Sequence, residues 1–121
     1  MSTWNENDRR SLERVGEIRV AGRRRDGTVR TPVIVWHVVV DGDVYVRSVR
    51  GSDGQWYRGV LRSLEGTISW DGTTRDVTYI PDDSADDAVD VAYAAKYGES
   101  SATRSITSLD ARATTLRVEP R

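Results

Sequence analysis

Residues 31–40, TPVIVWHVVV, carry apolar side chains at odd and even positions alike. A half-buried strand alternates and a surface helix shows a stripe; this run does neither. Its wealth of β-branched residues and its stop at Asp41-Gly42-Asp43 predict a single strand over 31–40. A strand that is apolar on both sides needs cover on both, as in a closed barrel with a helix or a partner subunit outside. Asp41-Gly42 then reverses the chain into Val44–Val49, where Val44, Val46 and Ser48 alternate with Tyr45, Arg47 and Val49.

The remaining elements fall in place around that hairpin. Residues 1–16 predict an N-terminal helix capped by Asn5 or Asn7, with Leu12 and Val15 as its apolar stripe and Trp4 stapled onto it. Residues 17–80 predict the barrel strands. A first strand ends at Gly22, Asp26-Gly27 turns it into the apolar run, and Asp71-Gly72 joins Gly66–Trp70 to Arg75–Ile80. A helix near 53–63, capped by Ser52 or Asp53, buries Trp56, Val60 and Leu61. Ser84 and Asp87 suggest a capping box for a helix over 84–97, with Ala88, Val91, Ala92 and Ala95 inward and Gly98 as its stop. Residues 99–112 suggest a loop with a helical turn, and 114–118 a closing strand. Without a βαβ rhythm the expected fold is mainly β (α+β): one domain, residues 1–121, built as a small antiparallel β-barrel with two or three peripheral helices.

Composition excludes several functions. With 121 residues there is room for one core. A formal charge of −1 argues against a nucleic-acid binder, whose domain is ordinarily strongly basic. No apolar run approaches the ~20 residues of a membrane helix. The opening MSTWNENDRR has no signal-peptide core, and the chain has no cysteine, so a cytoplasmic location is expected. The acidic run PDDSADDAVD lacks the spacing and mid-loop glycine of a calcium loop, and His37 is the only histidine, so no metal site is expected. His37, inside an apolar strand, reads as a core residue rather than a general base.

The basic residues are more informative by position. All 18 except Lys96 are arginine, whose planar fork suits phosphate and carboxylate. Arg24, Arg25 and Arg30 flank the Asp26-Gly27 turn. Ser48, Arg50 and Gly51 form a small-residue turn just before Trp56, Tyr57 and Arg58. A basic turn and an aromatic turn at opposite ends of one hairpin suit a planar, phosphorylated small-molecule ligand.

The order R-R-D-G-x-x-R-x-P, apolar strand, D-G-D-x-Y-V-x-S, glycine turn and W-Y resembles the deazaflavin-dependent nitroreductases of the FMN-binding split-barrel superfamily, and as a whole the sequence resembles a branch of small bacterial proteins of unknown function. The resemblance spans roughly residues 22–120. It narrows the expected barrel to a small antiparallel split β-barrel, and it implies the deazaflavin coenzyme F-420 or FMN as cofactor and hydride transfer to a small acceptor of the nitro-compound or quinone type. It implies cofactor contacts at Arg24, Arg25, Arg30, Pro32, Val33, Ser48, Arg50, Gly51, Trp56 and Arg58, and favours Tyr57 as proton donor among Tyr45, Tyr57, Tyr79, Tyr93 and Tyr97. Here Arg58-Gly59-Val60 stands where the family has an Asn-Leu pair. A non-catalytic barrel that binds a ligand or dimerises is the alternative. The doubly apolar 31–40 run predicts a homodimer.

Overall fold

The computed structural model describes residues 3–121. Seven antiparallel strands form one sheet in the order β2-β1-β5-β6-β7-β4-β3. They are β1 (Ile18–Gly22), β2 (Val33–Val35), β3 (His37–Val40), β4 (Asp43–Val46), β5 (Glu65–Trp70), β6 (Thr73–Pro81) and β7 (Leu116–Pro120). The two edge strands of that order, β2 and β3, are separated in the chain by Trp36 alone. A sheet whose opposite edges lie one residue apart must curl back on itself, and the result is a nearly closed barrel with a split at Trp36.

The expected single strand over 31–40 is therefore two. β2 pairs only with β1 (Val35 opposite Ile18) and β3 only with β4 (His37 opposite Val46). Leaving one ladder for the other strips Trp36 of a strand partner and leaves His37 paired on one side only, and buried backbone groups need replacements. Two tyrosines supply them from α3 (Asp86–Tyr97). The Tyr93 hydroxyl donates to Trp36 O at 3.3 Å, and His37 N donates to the Tyr97 hydroxyl at 3.1 Å. Side chains 57 and 60 residues further along the chain answer the break, so a local reading of the apolar run misses it.

Both faces of the run are covered only in part. The main core fills the barrel with Leu12, Val20, Val35, Val44, Val46, Ile68, Tyr79 and Leu116 among others. A second cluster outside the sheet packs Val38 and Tyr45 against Val89, Tyr93 and Ile106. Val33 and Ile34 in β2 stay 40% and 50% exposed. The turns behave as expected: Asp41-Gly42 and Asp71-Gly72 adopt the paired positive φ of two-residue hairpins.

Among the described residues five α-helices surround the barrel where two or three were expected. α1 (Glu6–Arg14) is capped by the Asn5 side chain, but Trp4 enters the core, donating to Val118 O and meeting Trp70 edge-on. α2 (Gln55–Leu61) follows a 3-10 turn over Gly51–Asp53; its cap is Gly54, not Ser52 or Asp53, and Leu61 is exposed while Tyr57 and Val60 are buried. α4 (Ser101–Ile106) and α5 (Leu109–Arg112) occupy the expected loop, each capped by a serine.

α3 departs most from expectation. Ser84 donates to Asp82 Oδ1 at 2.6 Å instead of capping the helix, and the inward stripe is Asp86, Val89, Asp90, Tyr93, Lys96 and Tyr97. Val91 is 69% exposed. The stripe keeps helical spacing, but Asp86 and Asp90 stand in it because it must meet Arg47, and Lys96 because it reaches His37 O. The Arg47 side chain is fully buried behind β4; it donates to Thr115 Oγ1, Ile106 O and Asp86 O and pairs with Asp86 and Asp90.

β1 and β5 approach so closely that a Cβ on Gly66 would sit 1.9 Å from Ala21 O, whereas one on Gly16 would meet nothing. Gly66→Ala is accordingly expected to cost more than about 4 kcal/mol in urea unfolding, and Gly16→Ala no more than about 0.5 kcal/mol. Near-native stability of Gly66→Ala would contradict this strand spacing.

Candidate functional site

The split leaves a cleft of about 510 Å³. One wall is β2 with Trp36. The other is the exit of β4, residues 48–50, with the start of α2 at Gly54, Gln55 and Trp56. Glu17 and the α4 residues Ala102 and Ile106 complete the lining. The volume lies within the range of small-molecule sites, and the walls combine aliphatic and indole surface with few polar groups, as such sites do.

The polar end rests on Ser48. Its backbone N–H donates to Thr114 Oγ1 at 2.8 Å, and its carbonyl accepts from Gly51 N at 3.0 Å, closing the expected small-residue turn. Gly51 sits there at φ 65°, and at Gly54 a Cβ would lie 2.2 Å from Ser48 Oγ and force that hydroxyl to turn away. The Ser48 hydroxyl itself is buried without a hydrogen-bond partner. Buried hydroxyls are ordinarily satisfied, so this one marks the cleft wall as a place where a polar group is missing. Arg50 is exposed beside it, whereas Arg47, also on the lining, is committed to Asp86 and Asp90. These residues suit a planar ring carrying an anionic group: apolar walls for the ring, Arg50 and Ser48 for the charge.

Of the residues singled out in the sequence, Val33, Ser48, Arg50 and Trp56 come together on the cleft. Pro32 precedes β2 and is exposed. Gly51 lies behind the Ser48 turn, against Asp110. Tyr57 packs in the main core at 9% exposure, its ring edge-on to Trp56. Arg58 is exposed on α2 outside the lining. The three arginines of the first turn do not converge. Arg24 donates back to Thr28 Oγ1 and Val29 O, Arg25 is exposed, and Arg30 lies on Gly59 with its Nε buried and unpartnered. Glu17, Trp36 and Arg47 were missed; no sequence signal separates them from ordinary strand-end residues. Among the described residues no group of three or more His, Asp or Glu is arranged to hold a metal ion.

Behind the cleft wall lies a titratable cluster. His37 is fully buried, its Nε2 2.6 Å from Leu12 O. A carbonyl accepts only, so the shorter contact favours the proton on Nε2, although Lys96 Nζ also lies 3.2 Å from that nitrogen; Nδ1 has no partner. Lys96, the single lysine, donates to His37 O at 3.0 Å and lies 5.2 Å from the Tyr97 ring centroid. Burial lowers Lys96 to about 8. Burial first and the Lys96 charge second lower His37 to about 4. Burial raises the Tyr97 phenol to about 12 and drives Tyr79 and Tyr93 upward too. The tyrosines are therefore neutral hydrogen-bonding groups near neutral pH.

A family profile described as an uncharacterised protein conserved in bacteria (DUF2255) matches residues 9–118. Among solved structures, a conserved hypothetical protein, Rv2991 from Mycobacterium tuberculosis, aligns over 99% of this chain and 81% of its own with a TM-score of 0.63 at 13% identity, a likeness of fold. No curated protein matches the chain. Among the described residues no helix is long and apolar enough to cross a membrane.

The His37 environment makes a signed prediction. Its folded pKa lies below the ordinary 6.5, so as pH falls the unfolded chain takes up the proton first. The stability is complete above about pH 6.5 and is lost progressively down to about pH 4, about 3 kcal/mol in all. Urea unfolding at pH 7 and pH 4.5 is expected to show His37→Gln losing less stability over that interval than the wild type. Equal losses would mean that His37 charges without cost.

Proposed function

The chain belongs to the DUF2255 family of uncharacterised bacterial proteins, and from its own cleft we propose that it binds a planar, anionic ring of the flavin or deazaflavin class and passes hydride to a small organic acceptor. The acceptor class is a nitro-compound or quinone. The observation that carries the reading is the pairing of indole and aliphatic walls (Trp36, Trp56, Val33, Ile34) with Arg50 and the unpartnered Ser48 hydroxyl in one cleft. When bound, such a ring supplies the hydride chemistry at its C5 or N5.

The protein's part is placement. Pro32 and Val33 flank the ring, and the two tryptophans keep water from its faces. Ser48 donates to an anionic oxygen whose charge Arg50 offsets, with Gly51 and Gly54 allowing the backbone close. Arg25 and Arg58, exposed outside the cleft, are the basic groups left to meet the acidic tail of a longer cofactor, since Arg24 is bonded within its own turn and Arg30 lies along α2. The exposed Val33 and Ile34 support a second copy packed over β2; sedimentation is expected to return a dimer at micromolar concentration, and a monomer would remove that part of the reading.

A second reading, binding without turnover, is favoured by Tyr57. As proton donor it has to reach the ring, yet it packs in the main core and does not line the cleft. Turnover separates the two: reduction of a nitro-compound by reduced deazaflavin, catalysed by the protein, supports the enzyme, and tight binding without reduction supports the carrier.

Fluorescence titration with FMN and with the deazaflavin coenzyme tests both. Saturable quenching is expected, weakened at least about tenfold (1.4 kcal/mol) by Arg50→Ala or Trp56→Ala. Arg50→Ala is expected to leave the melting temperature unchanged, as exposed substitutions do. Absence of binding by either compound up to millimolar concentration would sink the proposal.

A further inference from the structure

We propose that Tyr97 is the positioning residue of the cleft: stacked on Trp36, it fixes the indole as a wall and acts on a bound ring only through that indole. This rests on the cleft being the ligand site. Trp36 is the residue between the two ladders, so no strand pairing on its own residue fixes it. An indole in that position would exchange among rotamers unless packing selects one.

Tyr97 provides the selection. Its ring lies 4.0 Å from the Trp36 ring, centroid to centroid, with 5° between the planes. The ring is itself held at its far end. The hydroxyl accepts from His37 N at 3.1 Å, and its single proton serves Gly16 O at 2.7 Å or His37 O at 3.0 Å. Tyr97 thereby joins three elements, the segment after α1, the start of β3 and the end of α3, behind one indole. Tyr93 packs near it as well, 6.0 Å away between ring centroids. Trp36 lines the cleft and Tyr97 does not, so any influence on a ligand passes through the stack. Ring and hydroxyl have separable tasks. The hydroxyl ties elements together, and the ring orients Trp36.

That separation supplies a test on the full-length protein, with FMN as the ligand probe and 5-fluorotryptophan as an internal reporter. The Trp36 fluorine signal is assigned by its loss in Trp36→Phe. Tyr97→Phe keeps the stack and removes the hydroxyl; it is expected to lower the melting temperature while leaving FMN affinity within threefold and the Trp36 signal near its native position. Tyr97→Leu removes both. It is expected to shift or broaden the Trp36 signal and weaken FMN at least tenfold; Tyr97→Met, which fills more of the volume without a ring, serves the same purpose if the leucine variant does not fold. A Trp36 signal unmoved in the folded variant without a ring overturns the proposal. So does an affinity that falls in step with melting temperature across the series, since that is the mark of a merely structural role. If the wild type does not bind FMN, the flavin reading fails by itself, and the fluorine signal still decides whether Tyr97 positions Trp36.

Discussion

Everything in this fold depends on how the chain leaves one ladder and enters another at Trp36. The step from β2 to β3 curls the sheet into a barrel, but it leaves Trp36 without a strand partner and His37 paired on one side only. Buried amides and carbonyls left unpaired cost on the order of 1–3 kcal/mol each. The hydroxyls of Tyr93 and Tyr97 and the ammonium of Lys96 answer that cost from α3. The same break opens the cleft, because β2 pairs on one side only and its outward residues face no strand. Closure of the barrel and creation of a ligand-sized cleft are one event.

The placement of α3 is in turn fixed by charge. Arg47 points away from the barrel core and would be prohibitively costly to bury alone; Asp86 and Asp90, one turn apart on α3, neutralise it while Thr115 and two carbonyls accept its remaining donors. Such an assembly adds little net stability relative to apolar packing. It gives register instead: with Asp86 and Asp90 on Arg47, Val89 and Tyr93 face Val38 and Tyr45, and Lys96 and Tyr97 arrive at the break. Arg112 reaches Asp87 and Asp90 from α5, drawing the last helix onto the same network.

Local signals carried much of this into the sequence. Asp41-Gly42 and Asp71-Gly72 marked their hairpins, Gly98 ended α3, and the doubly apolar run announced a barrel with outside cover. What stayed hidden was long-range. The break at Trp36 is set by tyrosines some sixty residues later, and nothing within TPVIVWHVVV distinguishes Trp36 from its neighbours. The inward face of α3 was hidden because hydropathy ranks alanine and valine above aspartate, whereas the partner awaiting that face is an arginine. Half of the site was legible: Ser48, Arg50 and Trp56 stand where a small-residue turn precedes a helix. The first-turn arginines lie elsewhere because Arg24 folds back on its own turn and Arg30 lies along α2.

A cleft opened by the break, rather than the second groove lined by Asp82, Asp83, Asp86, Leu109 and Arg112 or the basic turn at Arg25, is the place where a small molecule is expected to bind. Amide chemical-shift mapping with FMN on isotopically labelled protein tests this most directly. Binding at the split predicts perturbations concentrated at residues 33–36, 48–50 and 54–56, with Tyr97 responding through Trp36. Perturbations confined to the Arg24–Arg30 turn or the 82–87 segment, or no perturbation at millimolar ligand, would contradict it.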